Sequence, residues 1–254
     1  MTTPEPLTEL GRHIARMQYT KRGKVRFLGH RDVARNLERA FRITRLPLAF
    51  SEGFNPHPKI SFGLALTTGF ESEAEFVDVE FLEPIELSTL PAALNDALPT
   101  GIDVLAAAWL IDRAPALQEA VTSVVWQVEV YAPGDDDNGS YPADPARVRD
   151  AIERALAAEH IECTKVRKGR TQVDDIRPMI RRISLVAPSP TADPVPVMEL
   201  ELASKGVKVA EVLAAIGPFV PGRGWRLHQY IERDGEQHAP LLIDARTSLA
   251  GART

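Results

Sequence analysis

Histidine, asparagine and lysine sit close together in one proline-stiffened stretch, Ser51 to Gly63, SEGFNPHPKISFG. Proline fixes its own φ, donates no backbone hydrogen bond and pushes the residue before it into an extended conformation. Asn55 and His57 each precede a proline and are therefore held extended, with Ser51, Phe54 and Lys59 close by in the chain. A plain connection needs none of these side chains, and loops held on a rigid scaffold are where binding and catalytic groups collect. A stiff turn with purely structural duties gives the same proline pattern, so both readings stand at this point.

Directly before this stretch lies HRDVARNLERAFRITRLP, His30 to Pro47. The spacing predicts a helix starting near Asp32, a good N-cap residue, and ending before Leu46-Pro47. At 100° per residue Val33, Leu37, Ala40, Phe41 and Thr44 share one face, while Arg31, Arg35, Glu38, Arg39, Arg42 and Arg45 share another. Glu38 cannot neutralise five arginines, which favours an anionic partner.

The net charge of -5 conceals this asymmetry. From Arg12 to Ile60 there are 12 Lys or Arg against Asp32, Glu38 and Glu52, a local balance of +9, so the remainder of the chain carries -14. A second basic island, Lys165 to Arg182, balances at +5 and includes Arg170 and Arg177. Basic patches in an otherwise acidic chain fit a polyanion bound at one place, although charges also scatter over solvated faces.

Several chemistries fit these side chains. His57 beside Lys59 and an arginine could act as general acid or base in RNA cleavage through the 2'-hydroxyl. The same imidazole is equally suited to stack on a base or bond a phosphate. His30, Asp32 and His57, with Glu75 as a fourth group, could meet if the loop folds back over the helix start, but their spacing matches no familiar metal site and none is expected. His30 before Asp32 also reads as no more than the start of the helix. Ser51 has no acid and base in triad order, which argues against a serine hydrolase. Neither a glycine-rich phosphate loop nor a dinucleotide fingerprint is present, so no cofactor is expected. The acidic GDDDNGSYP, Gly134 to Pro142, has Ala146 twelfth from Asp135 where a calcium loop needs glutamate, and reads as a solvated loop. In GRTQVDDIRP, Gly169 to Pro178, Asp174 and Asp175 are expected to pair with Arg170 and Arg177. GRTQ is similar to the GRTD loop of pseudouridine synthases, some of which pair two ferredoxin-like halves. Gln172 stands here at the position of their nucleophilic aspartate, which argues against that activity.

The elements that must hold these residues follow from composition and pattern. At 254 residues with 44% hydrophobic and 26% charged, the chain is long enough for one large globular domain or two of ordinary size. The single cysteine, Cys163, excludes an intramolecular disulfide and an iron-sulfur cluster, and a cytoplasmic setting is expected. MTTPEPLTELGR has no apolar core, so no secretory signal is expected, and the longest apolar run, Val104 to Ile111, is too short to span a bilayer. Strands are read at Ile14 to Thr20, Val25 to Leu28, Ile60 to Leu66, Phe76 to Leu82 and Ile102 to Ile111, with helices at Asp32 to Arg45 and Glu86 to Leu98. The second half reads as strands at Val124 to Tyr131, Ile161 to Val166, Ile180 to Val186, Val197 to Leu202 and Trp225 to Ile231, with helices at Pro145 to Glu159 and Val207 to Ile216. The expectation is an α+β fold of two ferredoxin-like (split βαβ) modules in tandem, residues 12–113 and 120–235, with 236–254 as a loosely held tail.

Lys21 to Leu66, KRGKVRFLGHRDVARNLERAFRITRLPLAFSEGFNPHPKISFGLAL, resembles the signature of the radical-SAM-linked protein family, a domain of unknown function. The stretch Glu71 to Glu75 and VDDIRPMI, Val173 to Ile180, follow in that family's order, the latter with one extra aspartate. The chain has no CxxxCxxC motif and resembles the free-standing form. The resemblance implies a functional link to a radical SAM enzyme, without radical chemistry in this chain.

The leading expectation is an RNA-binding accessory protein that presents RNA, of the tRNA or rRNA class, to a modifying enzyme of the radical SAM type. Arg31, Arg35, Arg39 and Arg42, with Ser51, Phe54, Asn55, His57, Lys59, Arg170 and Arg177, would contact the nucleic acid. The alternatives are an enzyme acting on RNA, a ribonuclease or base modifier using His57 with His30 and Asp32, and a protein-protein adaptor whose basic face docks an acidic partner.

Overall fold

The computed structural model describes residues 13–111, 114–134, 139–167, 170–186 and 195–245, with Val166, Arg167 and Arg170 described by their backbone. The architecture is α+β, and the chain divides into two compact units, Met1–Val121 with Gln229–Thr254, and Thr122–His228. Among the described residues no helix is long and apolar enough to cross a membrane.

The first unit opens with β1 (His13–Lys21), a 3-10 turn (Gly23–Phe27) and α1 (His30–Ile43). There follow β2 (Ile60–Phe62), β3 (Glu71–Phe81), a 3-10 turn (Leu87–Thr89) that runs into α2 (Leu90–Asn95), β4 (Val104–Trp109) and α3 (Leu117–Ala120). β1 pairs antiparallel with β3 and β4, and β2 pairs antiparallel with β3, giving the local order β4-β1-β3-β2. The register sets Ala15 against Val79 and Met17 against Val77. These side chains, with Tyr19 and Phe81, form one core with Val33, Leu37, Ala40 and Phe41 of α1. Because residues of one strand alternate between faces, Arg16 points away from that core, yet it is fully buried. Its Nε and Nη2 donate to the two carboxylate oxygens of Asp78 at 2.7 and 2.8 Å, and Nη1 donates to the Pro240 carbonyl at 3.0 Å.

The second unit contains β5 (Ser123–Pro133), β6 (Ser140–Pro142), α4 (Pro145–Ala157), β7 (Glu162–Arg167), β8 (Arg170–Asp175), β9 (Ile180–Leu185), β10 (Val197–Ala203) and α5 (Val209–Ile216). β11 (Val220–Arg233) begins in this unit and continues from Gln229 as part of the first, followed there by β12 (Glu236–His238) and α6 (Pro240–Ile243). β10 pairs antiparallel with β5 and β9, and the order within the unit is β11-β5-β10-β9. β7 and β8 form a separate two-stranded hairpin, joined to β9 by a 3-10 turn at Arg177–Met179. α4 buries Val148, Ala151, Ile152 and Ala155, and Asp144 caps it by accepting from the Ala146 N–H at 3.0 Å.

Several elements differ from the sequence reading, each for a local reason. Val25 to Leu28, expected extended, is mostly the 3-10 turn, because the buried Lys21 ammonium donates to the carbonyls of Arg26 and Leu28 and curls the backbone around itself. α1 starts at His30 with Gly29 at the N-cap, which places Asp32 inside the first turn. Ile60 to Leu66 forms a strand only as far as Phe62, and the Gly63 N–H bonds the Phe76 carbonyl beyond it. In the helix expected over Glu86 to Leu98, the Glu86 side chain takes the Ser88 N–H, which favours a 3-10 turn before α2. Ile161 to Val166, read as one of the sheet strands, belongs to the separate hairpin. In Gly134 to Pro142, residues 135–138 lie outside the described residues, while Ser140–Pro142 form β6 against β5. Residues 236–245, read as a loose tail, are held by Arg233 Nη2 donating to Asp244 at 2.9 Å and by the Ile111 N–H donating to the Asp244 carbonyl at 2.9 Å. The remaining tail residues, 246–254, lie outside the described residues. A contiguous division at 12–113 and 120–235 does not include this return of the chain to the first unit at Gln229.

Candidate nucleic-acid interface

Burying Val33, Leu37, Ala40 and Phe41 against the sheet fixes which side of α1 faces water. Arg31, Arg35, Arg39 and Arg42 are exposed on it. Arg35 lies 3.3 Å from Asp32, a pair exposed on both sides. Among the described residues it is the only ion pair made by an α1 arginine, and surface pairs of this kind contribute only about 0–1 kcal/mol. The face therefore keeps its positive charge open to solvent.

The helix ends in a reverse turn that adds a fifth cation. The Arg45 N–H bonds the Arg42 carbonyl and the Leu46 N–H the Phe41 carbonyl, while Arg45 takes the left-handed φ of 53°. That position usually belongs to glycine, and a non-glycine residue there carries a cost of about 1–2 kcal/mol.

Eight residues beyond Ile43 the proline loop begins, and its neck is tied to β3. The Ala49 N–H donates to Glu80 O at 2.9 Å, Glu80 N–H to Lys59 O at 3.1 Å, and Lys59 N–H to Ala49 O at 2.8 Å. One step further out, Ser51 and His57 bond twice, Ser51 N–H to His57 O at 2.8 Å and His57 N–H to Ser51 Oγ at 3.0 Å. Between them Glu52 to Pro56 form an exposed tip, where Gly53 at φ 123° adopts a conformation costly for any side chain. Phe54 at the tip is fully exposed, 102%, and Asn55 and His57 also face solvent. The Lys59 ammonium lies 3.2 Å from the Glu80 carboxylate, which offsets part of its charge.

The structure does not gather the two histidines. His30 packs edge-to-face on Phe62 with ring centroids 5.0 Å apart, at the far end of β2 from the loop. Five residues of extended chain, about 16 Å, separate His57 from Phe62. Glu75 is buried on β3. Among the described residues no cluster of three or more His, Cys, Asp or Glu side chains could hold a metal ion.

Arg170 and Arg177 belong to the second unit. Arg170 opens β8, and its side chain lies outside the described ones. Arg177 donates from Nε to the Ala158 carbonyl at 3.1 Å and from Nη1 to that of Ile180 at 3.2 Å, so its guanidinium is engaged in holding backbone. The expected pairing with Arg170 rests on a side chain outside the described ones, and among the described residues neither Asp174 nor Asp175 makes an ion pair with the Arg177 guanidinium. Asp174 lies 3.3 Å from Lys165, and Asp175 accepts from His160, Ile161 N–H and Arg177 N–H at 2.9 to 3.0 Å. These donors, His160 foremost, pull the Asp175 carboxyl down to about 2.

Sequence reasoning overlooked two exposed aromatics. Phe27, 62% exposed, lies under the Arg26 guanidinium at 4.5 Å, three residues before α1, and Phe50, 50% exposed, flanks the loop neck. Reading Val25 to Leu28 as a strand hid Phe27, whereas the pairing of aromatic and arginine at 26–27 was visible in the residue types.

No curated protein matches this chain. Among solved structures it is similar to a chain of a Cbf5-Nop10-Gar1 complex, at 9% identity and TM-score 0.46, covering 85% of this chain and 48% of that one. It is also similar to a chain of an H/ACA RNP bound to a substrate RNA containing 2'-deoxyuridine, at 9% identity and TM-score 0.41 over 88% and 47% of the two chains. A third likeness is to an archaeal box H/ACA sRNP Nop10-Cbf5 complex, at 10% identity and TM-score 0.42 over 84% and 46%. This chain spans about half the length of each chain it matches there. Residues 15–211 match the model of DUF2344, an uncharacterized protein conserved in bacteria, and the chain belongs to that family.

Proposed function

We propose that this protein binds RNA, of the tRNA or rRNA class, through the arginine face of α1 and the Ser51 to Lys59 loop, and presents it to a modifying enzyme. The family resemblance in Lys21 to Leu66 implies a radical SAM enzyme in that role. The observation that carries the reading is the row of exposed arginines on α1 with a single carboxylate partner. Guanidinium forks match phosphate oxygens, and the fully exposed Phe54 ring at the loop tip offers a stacking surface for an unpaired base. Two further features support the reading: the loop neck is fixed to β3, so the ring is presented from a rigid base, and the chain outside Arg12 to Ile60 carries a net charge of -14.

The same proposal reads each unit as a ferredoxin-like split βαβ module, with the β7-β8 hairpin inserted in the second. The orders β4-β1-β3-β2 and β11-β5-β10-β9 support it.

The test is fluorescence-anisotropy binding of bulk tRNA and of rRNA fragments to the wild type and to Arg35→Glu/Arg39→Glu, with circular dichroism as the fold control. Both side chains are solvent-exposed, so the fold is expected to survive. The expected result is at least a tenfold loss of affinity in the variant. Equal affinity of the two proteins, or no binding by the wild type at low salt, overturns the proposal.

A further inference from the structure

The second unit carries a groove of about 630 Å³ between α4, β6 and the turn after α5, in the size range of clefts that take small organic groups. Arg147, Asp150 and Arg154 lie along its helical wall, at intervals of three and four residues that place all three on one stripe of α4. All three are exposed, and none has an ion-pair partner among the described residues. The Tyr141 ring, 51% exposed on β6, forms another wall, and the buried Phe219 lies at the floor. Asp144, also in the lining, is engaged as the N-cap of α4.

The chemistry of this set is specific. Arg147 and Arg154 stand about 10 Å apart along the helix axis, and each guanidinium presents a planar fork of donors suited to phosphate. Between them Asp150 is an acceptor only, able to take the exocyclic amino group of a base such as cytosine N4. Tyr141 offers a flat face to a base that is out of its stack. A paired helix cannot satisfy this set, because its bases are stacked on each other and the cytosine amino group lies on the edge facing the deep, narrow major groove, which side chains cannot read.

We propose that this groove binds single-stranded RNA, with phosphates on Arg147 and Arg154 and an amino-bearing base on Tyr141 read by Asp150. The inference rests on the RNA-binding reading above and adds to it a second contact, on the other unit, that selects unpaired and amino-bearing bases.

The test uses the full chain, seven-nucleotide oligo(C) and oligo(U) as probes, and fluorescence anisotropy across a salt series. For the wild type the expectation is binding of both, with oligo(C) preferred. Arg147→Ala/Arg154→Ala is expected to weaken oligo(C) binding at least tenfold and to flatten its log-log salt slope by about 1.4, the value for two phosphate contacts on a single strand. Asp150→Ala is expected to remove the preference for oligo(C), and Tyr141→Ala to weaken both probes. Wild-type affinity and slope in the arginine variant, with circular dichroism unchanged, overturn the groove proposal. If Arg35→Glu/Arg39→Glu loses binding while the groove variants keep it, the groove fails and the α1 reading stands. If no RNA binds the wild type, both fail together.

Discussion

Arg45 holds a left-handed backbone conformation at the end of a helix, a place where glycine closes the same turn without a Cβ clash. A charged residue kept there at a local cost is what a phosphate contact at the helix end would require. Arg45→Gly is therefore expected to raise stability in urea denaturation by about 1 kcal/mol, less the entropy glycine adds to the unfolded chain. The same variant should lower the salt slope of RNA binding by about 0.7, one contact's worth on a single strand. Unchanged stability would show that the turn carries no strain, and an unchanged slope that Arg45 touches no phosphate. Asp175 carries a prediction in pH. Its folded carboxyl titrates at about 2 against an ordinary 3.8, so the stability it contributes is fully present above the unfolded value and is lost as pH falls toward 2. Asp175→Asn should lower the melting temperature at pH 5 to 7, and the two proteins should converge near pH 2. A gap that persists undiminished at pH 2 would assign the effect to something other than this carboxylate. The exposed arginines could be read from spacing alone, because a helix face is a matter of counting. The φ of Arg45 and the partners of Asp175 could not, since both depend on which backbone groups are left over after the elements pack.

The loop and the helix were legible to different degrees for the same reason. α1 has an apolar stripe of four fully buried side chains, a signal that tertiary packing reinforces, and its helix was plain from residues 33 to 44. The loop was legible in its stiffness, from Asn55-Pro56 and His57-Pro58, but its neck was not, because the hydrogen bonds of Ala49 and Lys59 run to Glu80 on β3, far along the chain. The short elements were misread where one side chain redirects the backbone, as Lys21 does over Gly23–Phe27 and Glu86 over Leu87–Thr89. The rigidity of the tip is testable at Ser51, whose hydroxyl accepts the His57 amide across the neck. One such hydrogen bond contributes about 1 kcal/mol, so Ser51→Ala should speed hydrogen exchange of the His57 amide roughly fivefold. Exchange at Lys59, bonded to Ala49 backbone, should not change. Equal exchange at His57 in both proteins would mean that the tip is mobile with or without the serine, and that Phe54 is not presented from a fixed base.

At the scale of the whole molecule, what could be read was charge, and what could not was closure. Arg16 finds its partners 62 and 224 residues away, at Asp78 and Pro240, and no periodicity in the chain announces that the last described residues return to the first strand. The charge division needs only counting: +9 between Arg12 and Ile60 and -14 elsewhere. That division makes a prediction that a uniformly basic protein does not share. At 0.1 M salt the Debye length is about 10 Å, so RNA on the arginine face interacts with the patch while more distant acidic residues are screened. At 0.01 M it is about 30 Å, comparable to the size of a domain, and the acidic remainder then repels the same polyanion. The log-log plot of affinity against salt should therefore be linear from about 0.3 to 0.1 M and flatten toward 0.01 M, where counterion release alone would keep it straight. Neutralising acidic residues outside the patch, for instance Glu153→Gln with Glu159→Gln, should extend the linear range downward without changing the slope above 0.1 M. A plot straight to 0.01 M in the wild type would mean that bound RNA does not sense the net charge, and the acidic surface would then need an explanation other than confining RNA to the patch.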